Sequence, residues 1–177
     1  MGNVAESLKG IELGGINSLS GPDGKESWGI QIAGINYLGK ASFLGGQIGV
    51  VNGGSSEASM AGLQVAVINF YNGKMNGIQL GLGNGSDPDI SGIQLGLIQQ
   101  AKNVMGLQIG LSNFVFRDVH GVQIGIGNSA RDLHGVQVGG INICESLSGL
   151  QIGILNIVTS RFPDKGLFVS PLINFGF

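Results

Sequence analysis

Two histidines are the residues whose placement most directly suggests chemistry. His120 and His134 each stand immediately before a Gly-Val-Gln sequence, so a fold that repeats this segment would place the two imidazoles about 5 Å apart. Imidazoles at that separation could bind a metal ion or act as a pH-dependent switch. Because no cysteine or carboxylate occupies the equivalent position of similar segments, we interpret the pair as stacked surface side chains whose protonation destabilises one edge at low pH. We therefore predict no metal site.

The other residues with catalytic or metal-binding chemistry give weaker patterns. Asp87 and Asp89 lie in a turn-forming stretch that lacks the spacing and the glycine position of an EF-hand calcium loop. Cys144 is the only cysteine, which excludes an intrachain disulfide framework and a cysteine zinc cluster, and no charged pair marks it as a nucleophile. Since no Ser-His-Asp set or pair of carboxylates stands out, we predict a protein that is not an enzyme, with no catalytic residues and no cofactor.

One eight-residue phrase recurs along the chain and must determine its fold. The phrase reads Gly, apolar, Gln, apolar, small, apolar, variable, Asn, as in GVQIGIGN from Gly121 and GLQIGILN from Gly149. Successive copies settle at a step of 14 or 15 residues. We predict a single repeat domain over residues 1–177, with a divergent copy from Gly166 and a C-terminal cap over about 161–177. The predicted opening glycines are Gly10, Gly29, Gly46, Gly62, Gly77, Gly92, Gly106, Gly121, Gly135 and Gly149.

The segments between the phrases are also patterned. An apolar residue usually stands two positions before the opening glycine, as at Val119 and Leu133. A polar turn precedes it, and the recurrence of Arg117-Asp118 and Arg131-Asp132 predicts an exposed row of ion pairs that contributes little stability. Residues 3–8 read as the tail of a preceding unit.

Within a phrase the residues alternate with the period of a β-strand. Val122, Ile124 and Ile126 alternate with Gly121, Gln123 and Gly125, and we expect the aliphatic set to face the core and the other set to face away from it. The opening glycine is expected to bend the chain with a positive φ, which only glycine adopts cheaply. That bend would switch the parity of the strand and bring the preceding apolar residue into the same core.

Two all-β architectures can use such a strand. In a β-solenoid of about eleven coils each unit is one coil, and equivalent residues stack in parallel. In an up-and-down β-barrel, which could be transmembrane, neighbouring strands run antiparallel. The solenoid is favoured, because an antiparallel barrel would repeat as a hairpin of two units. The alternating C-terminal stretch that ends at Phe177 and the uncharged aliphatic face keep the barrel open as an alternative.

Two rows of amide side chains accompany the repeat. Stacked asparagines, with Gln99 as the exception, are expected to hydrogen-bond along the axis as a structural ladder. The glutamines are expected to form a ladder on a solvated sheet or a flat interaction face. The asparagines are Asn17, Asn36, Asn52, Asn69, Asn84, Asn113, Asn128, Asn142 and Asn156. The glutamines are Gln31, Gln47, Gln64, Gln79, Gln94, Gln108, Gln123, Gln137 and Gln151.

Composition excludes several partners. Charged residues make up 11% of the chain and the net charge is −2, so a general attraction to nucleic acid is not expected. No apolar stretch reaches the roughly 18 residues of a membrane-spanning helix. The first ten residues lack the charged-then-apolar pattern of a signal peptide, which indicates either an internal protein or a mature or truncated chain.

The phrases GLQIGILN and GVQIGIGN, together with the ending LFVSPLINFGF, resemble a family of bacterial surface-repeat proteins from spirochaetes and Bacteroidetes. The resemblance extends from Asn3 to Phe177, although Glu12 and Phe168 replace glutamine in the first and last copies. It implies export and a location at the cell surface or outer membrane. It implies no reaction.

Three functional hypotheses follow. The leading one is a non-catalytic structural or binding repeat protein of the cell envelope that presents its Gln and Gly face to an unknown macromolecule. The first alternative is an outer-membrane β-barrel pore or channel, which would make the membrane a partner. The second alternative is a self-assembling fibre or oligomer subunit that stacks end to end through its sheet edges.

Overall fold

The computed structural model, which describes residues 2–21, 26–159 and 166–177, is built from β-strands. Thirteen strands pair in parallel with strands of the neighbouring turns, and a last strand pairs antiparallel with the thirteenth. The strands are β1 (Gly2–Ala5), β2 (Lys9–Leu19), β3 (Glu26–Leu38), β4 (Ser42–Gly54), β5 (Ser59–Val65), β6 (Ile68–Tyr71), β7 (Lys74–Leu80), β8 (Gly83–Leu95), β9 (Ile98–Ile109), β10 (Ser112–Val115), β11 (Asp118–Ser129), β12 (Asp132–Cys144), β13 (Ser146–Thr159) and β14 (Leu167–Gly176).

Equivalent residues of successive repeats lie directly over one another. In the pairing of β11 with β12, Gly121 lies opposite Gly135, Gln123 opposite Gln137 and Asn128 opposite Asn142. The same in-register parallel pairing continues from β1 to β13. The β-solenoid is therefore confirmed, and the barrel alternative is wrong because neighbouring units do not run antiparallel.

A glycine with positive φ opens each turn of the solenoid, as the sequence predicted. At Gly121 φ is +151°, and a Cβ there would overlap the backbone carbonyl oxygen of Gly106. Ten glycines of the described residues share this conformation, which gives ten turns.

The third turn opens at Gly45, so the prediction of Gly46 is wrong. Gly45 has a φ of +151° and pairs with Gly29 and Gly62. Gly46 lies one position later, opposite Leu63. With two adjacent glycines in this copy, the sequence motif allowed either residue to open the turn.

Each turn changes direction at three places. Around one turn these are the positive-φ Gly106, the break between β9 and β10 at residues 110–111, and the break between β10 and β11 at residues 116–117. Three short, straight segments per turn give the solenoid three sides. Backbone hydrogen bonds to the preceding turn continue across the breaks, as from Leu111 N to Leu97 O.

The interior contains two columns of apolar side chains and two columns of amides. The amides are the glutamines and asparagines of the repeat, which are buried. One apolar column is formed by Phe43, Met60, Met75, Ile90, Val104, Val119 and Leu133, and the other by Leu19, Leu38, Tyr71, Ala101, Val115, Ala130 and Cys144.

The aliphatic residues of the phrase face outward, so their predicted place in the core is wrong. Ile124 is 39% exposed and Ile126 is 64% exposed, whereas Gln123 is fully buried. The strand keeps its parity through the opening glycine and shifts it at the second bend, between Gly125 and Asn128. The second glycine of the phrase faces the interior beside the asparagine ladder, where a Cβ at Gly125 would approach Asn113 Nδ2 to 2.7 Å.

The two ends of the solenoid differ. At the start, β1 pairs in parallel with β2 and places Asn3 opposite Asn17, so residues 3–5 continue the repeat backwards as predicted. At the other end, the copy expected from Gly166 does not form a further coil but runs antiparallel along β13 as β14. Pro171 lies within β14, where it removes one backbone donor from the outer edge. Residues 161–165 of the predicted cap lie outside the described residues.

Substitution of the opening glycine should be far more damaging than substitution of an outward glycine. We expect Gly121→Ala to lower the free energy of unfolding by at least about 3 kcal/mol, because alanine must adopt a glycine-only conformation and displace the neighbouring backbone. Gly127 has open space around its Cβ position and no positive φ, so Gly127→Ala should change stability by less than about 0.5 kcal/mol. Urea denaturation followed by circular dichroism measures both, and equal losses would contradict the assigned bend.

Candidate interaction surface

The glutamine row is an internal hydrogen-bond ladder. Each glutamine from Gln47 to Gln151 donates its side-chain Nε2–H to Oε1 of the glutamine one turn earlier, at 2.7 to 2.9 Å. All nine glutamines of the row are fully buried. Their predicted role as an interaction face is therefore wrong, since no part of these side chains reaches the surface.

The two ends of the glutamine ladder carry matching partners. Gln31 donates to the carboxylate of Glu12 at 2.8 Å, which explains why an acceptor without donors replaces glutamine in the first turn. At the far end, the side-chain amide of Asn174 in β14 donates to Gln151 Oε1 at 3.1 Å. The replacement of glutamine by Glu12 thus provides an acceptor for the side-chain amide of Gln31, which is the last donor of the ladder.

The asparagine row forms a second ladder that runs in the opposite direction. Asn128 Nδ2 donates forward to Asn142 Oδ1, and Asn142 Nδ2 to Asn156 Oδ1, both at 2.8 Å. The same amide group also donates to a backbone carbonyl of the next turn, as from Asn128 to Val138 O at 3.0 Å. The predicted asparagine ladder is present, and its dipoles oppose those of the glutamine ladder.

Gln99 interrupts the asparagine ladder. It accepts from Asn84 at 2.8 Å, but its own side-chain amide donates to Ile109 O at 3.2 Å and not to the next asparagine. The Oδ1 atom of Asn113 is consequently buried without a hydrogen-bond partner among the described residues. The extra methylene of glutamine moves its amide group out of the register that the other asparagines share.

One side of the solenoid carries two regular rows of aliphatic side chains, which we call the first aliphatic face. The rows are formed by the residues immediately before and after each buried glutamine, and exposures such as 43% for Ile48 and 39% for Ile152 are typical. The face consists of Ile11, Leu13, Ile30, Ile32, Ile48, Leu63, Val65, Ile78, Leu80, Ile93, Leu95, Leu107, Ile109, Val122, Ile124, Val136, Val138, Leu150 and Ile152, with Gly46 at the remaining position.

The adjacent side is also apolar but uneven, and we call it the second aliphatic face. It carries large exposed side chains such as Leu97, Phe114 and Ile154. Small residues such as Gly85 and Gly127 interrupt these rows. Its surface therefore has notches that the first aliphatic face lacks.

Charge is confined to the third side, which we call the polar edge. In the described ranges, every charged side chain except Glu12 lies in the segments that link one phrase to the next. Arg131 is the best connected, with its Nε donating to Asp132 at 2.9 Å and an ion pair to Asp118 at 3.9 Å. The hydrogen bond that Arg131 donates to Asp132 raises the pKa of Arg131. Such exposed pairs contribute little stability.

The predicted stacking of the two histidines is confirmed. The ring centroids of His120 and His134 lie 4.8 Å apart with an interplanar angle of 24°, and both side chains are exposed on the polar edge. Asp87 and Asp89 are exposed as well, and Asp89 accepts a hydrogen bond from Asn103. Within the part of the chain that the structure describes, no three His, Cys, Asp or Glu side chains are grouped so as to hold a metal ion.

The interior holds two ionisable side chains in neutral form. Burial raises the pKa of the Cys144 thiol to about 12, and the charge of Asp132 adds to that shift. Burial likewise raises the pKa of Tyr71, whose hydroxyl has no hydrogen-bond partner among the described residues. A protonated thiol at this depth is a packing residue, as the sequence indicated.

No family model, curated protein or solved structure matches this chain. The resemblance to bacterial surface-repeat proteins therefore stays a prediction. The described residues contain no helix that could span a membrane.

The surface that sequence reasoning missed is the first aliphatic face. Period-two alternation marks two opposite sets of side chains but does not tell which set is inside. One signal could have decided it: position three of the phrase is glutamine in nine turns, whereas positions two and four vary among Ile, Leu and Val. A buried amide ladder requires one side-chain length throughout, while an outer surface tolerates this variation.

Interruption of the glutamine ladder should destabilise the fold. Gln108→Leu leaves Gln94 Oε1 buried without a donor and leaves Gln123 Nε2 with only its long hydrogen bond to Ser129 O at 3.4 Å. We therefore expect a loss of about 1–3 kcal/mol in the free energy of unfolding. Gln100→Leu is the matched control, because Gln100 points outward one turn earlier. Urea denaturation compares the two variants, and equal midpoints would show that the ladder does not stabilise the interior.

The buried thiol should make stability depend on alkaline pH. An unfolded cysteine ionises near the ordinary pKa of 9.0, whereas the folded thiol keeps its proton to about pH 12. The unfolded state therefore loses its proton first, and stability falls as pH rises above 9. Cys144→Ala removes the contribution of the thiol to this dependence. Alanine is compatible with this apolar column, because Ala101 and Ala130 already belong to it.

Urea midpoints at pH 8 and pH 10.5 measure the alkaline effect. The wild-type midpoint should fall further between these two values than the midpoint of Cys144→Ala. Identical falls in the two proteins would indicate that the thiol ionises equally in both states.

Proposed function

We propose that this protein is a non-catalytic structural repeat module that assembles side by side, with the first aliphatic face of one copy packed on that of a second copy. The location at the bacterial cell envelope or surface, which the sequence resemblance implies, is part of this proposal. The observation that carries it is the pair of aliphatic rows on an outer side of the solenoid, which Gly46 alone interrupts among the described turns.

The size of the face is sufficient for a stable contact. Ten turns at a spacing of about 4.8 Å make the rows about 45 Å long, and two rows with their side chains are about 12 Å wide. Face-to-face packing would thus bury about 1,100 Å² in total, which reaches the roughly 1,000 Å² expected of a specific interface. Each copy contributes about 550 Å² of this area, which lies at the upper end of the roughly 300–600 Å² of the largest apolar patch on a typical monomer.

The geometry of the face favours a second copy as its occupant. Equivalent side chains repeat at every turn in register, so two such surfaces have the same ridge spacing and can interdigitate as stacked sheets do, about 10 Å apart. The polar edge offers no excess of positive charge for anionic lipid headgroups, since Arg131 is paired with Asp118 and Asp132 and the chain carries a net charge of −2.

The other hypotheses have less support. A pore is not proposed, because the strands run parallel and the interior is filled by amide and apolar side chains. End-to-end stacking is opposed at one end by β14, which reverses the strand direction and carries Pro171.

Charge placed on the first aliphatic face should abolish association. The double variant Ile109→Lys/Ile124→Lys puts two cations at the centre of the face, and we expect it to sediment as a monomer at concentrations where the wild type is a dimer. Repulsion between like charges and the cost of burying them both oppose the contact. Analytical ultracentrifugation measures the difference.

A matched control is Ser91→Lys/Met105→Lys, which makes the same change at adjacent turns on the polar edge. It should still dimerise. The proposal would be overturned if the wild-type chain stayed monomeric at all concentrations. It would also be overturned if the monomer bound to vesicles of neutral lipid in a flotation assay and the double variant at Ile109 and Ile124 did not.

A further inference from the structure

A groove with a volume of about 320 Å³ lies where the second aliphatic face meets the polar edge. Its apolar and amide lining consists of Phe70, Gly85, Gln100 and Phe116, and its remaining lining residues are Ser86, Asp87, Lys102, Arg117 and Arg131. The groove is separate from the first aliphatic face and plays no part in the proposed assembly.

The groove exists because an outward column of side chains is interrupted at Gly85. Gly85 lies opposite Phe70 on one side and Gln100 on the other, and large residues such as Tyr37 and Phe114 occupy the same column elsewhere. A Cβ at Gly85 would already contact the Phe70 ring at 3.4 Å. Glycine is not required there by its backbone, since its φ is not positive, so a larger side chain would simply fill the groove.

Three cations stand in register along the rim. Backbone hydrogen bonds from Arg117 N to Lys102 O and from Arg131 N to Arg117 O stack their turns. Lys102 is paired with Asp87 at 3.9 Å, and Arg131 is paired with Asp118 and Asp132.

Arg117 differs from its two neighbours. It is exposed and has no ion pair with another described residue. The groove therefore presents one uncompensated guanidinium beside two exposed phenylalanine rings.

We propose that this groove binds an organic carboxylate that carries an apolar chain. The guanidinium of Arg117 holds the carboxylate through paired N–H donors, a geometry that suits a planar anion. The apolar chain of the ligand lies in the space over Gly85 and contacts the rings of Phe70 and Phe116. One unpaired cation matches a monoanion, whereas a dianionic phosphate would need a second free cation at the rim.

Binding of sodium octanoate tests the proposal directly. Isothermal titration calorimetry should show one site per chain, and octanamide, which has the same chain without the charge, should bind at least about tenfold more weakly. Arg117→Gln should weaken octanoate by a similar factor and leave octanamide unchanged. Gly85→Leu should abolish binding of both compounds by filling the groove.

Lys74→Gln is the matched control, because Lys74 is an exposed cation on the polar edge away from the groove. It should bind octanoate like the wild type. Phe116→Ala provides a second apolar variant if Gly85→Leu does not fold, and it should weaken both ligands equally. Absence of octanoate binding, or binding at many sites that Arg117→Gln does not alter, would overturn the proposal.

Discussion

The in-register stacking of identical amide side chains is the interaction on which the rest of this structure depends. A buried amide that lacks partners costs about 1–3 kcal/mol, so the interior tolerates its glutamines and asparagines only while each turn presents the same group at the same height. Parallel pairing keeps the glutamines in register from turn to turn, and the register shift between β8 and β9, at Ser86 and Asp89, lies outside the glutamine ladder. Glu12 and Asn174 then supply the acceptor and the donor that the two ends of the glutamine ladder need.

Burial of the amides determines what the outside must be. The alternation of a strand places the neighbours of each buried glutamine on the surface, and those neighbours are Ile, Leu and Val. The solenoid therefore has a hydrogen-bonded polar interior, apolar columns beside it, and two apolar outer sides. This distribution is the reverse of that in most soluble domains, and it is the physical reason for proposing that one outer side is covered by a second copy.

The repeat itself was predictable, because the opening glycine, glutamine and asparagine recur at nearly constant steps and only parallel stacking uses them identically. The positive φ of residues such as Gly121 also followed from the steric requirements of a bend. The orientation of the strand did not follow, since one undetected shift of parity between Gly125 and Asn128 exchanges inside and outside. The groove at Gly85 was equally hidden, because it depends on which side chains stand opposite that glycine in the neighbouring turns.

The most direct test of the central claim is the hydrogen exchange of the glutamine side-chain amides, measured by NMR. If these groups form the interior ladder, their NH₂ protons exchange as slowly as the backbone amides of the same turns, and the exchange rate of Gln100, which points outward, is that of a free side chain. Rapid exchange at Gln94, Gln108 and Gln123 would place the row at the surface and contradict the account.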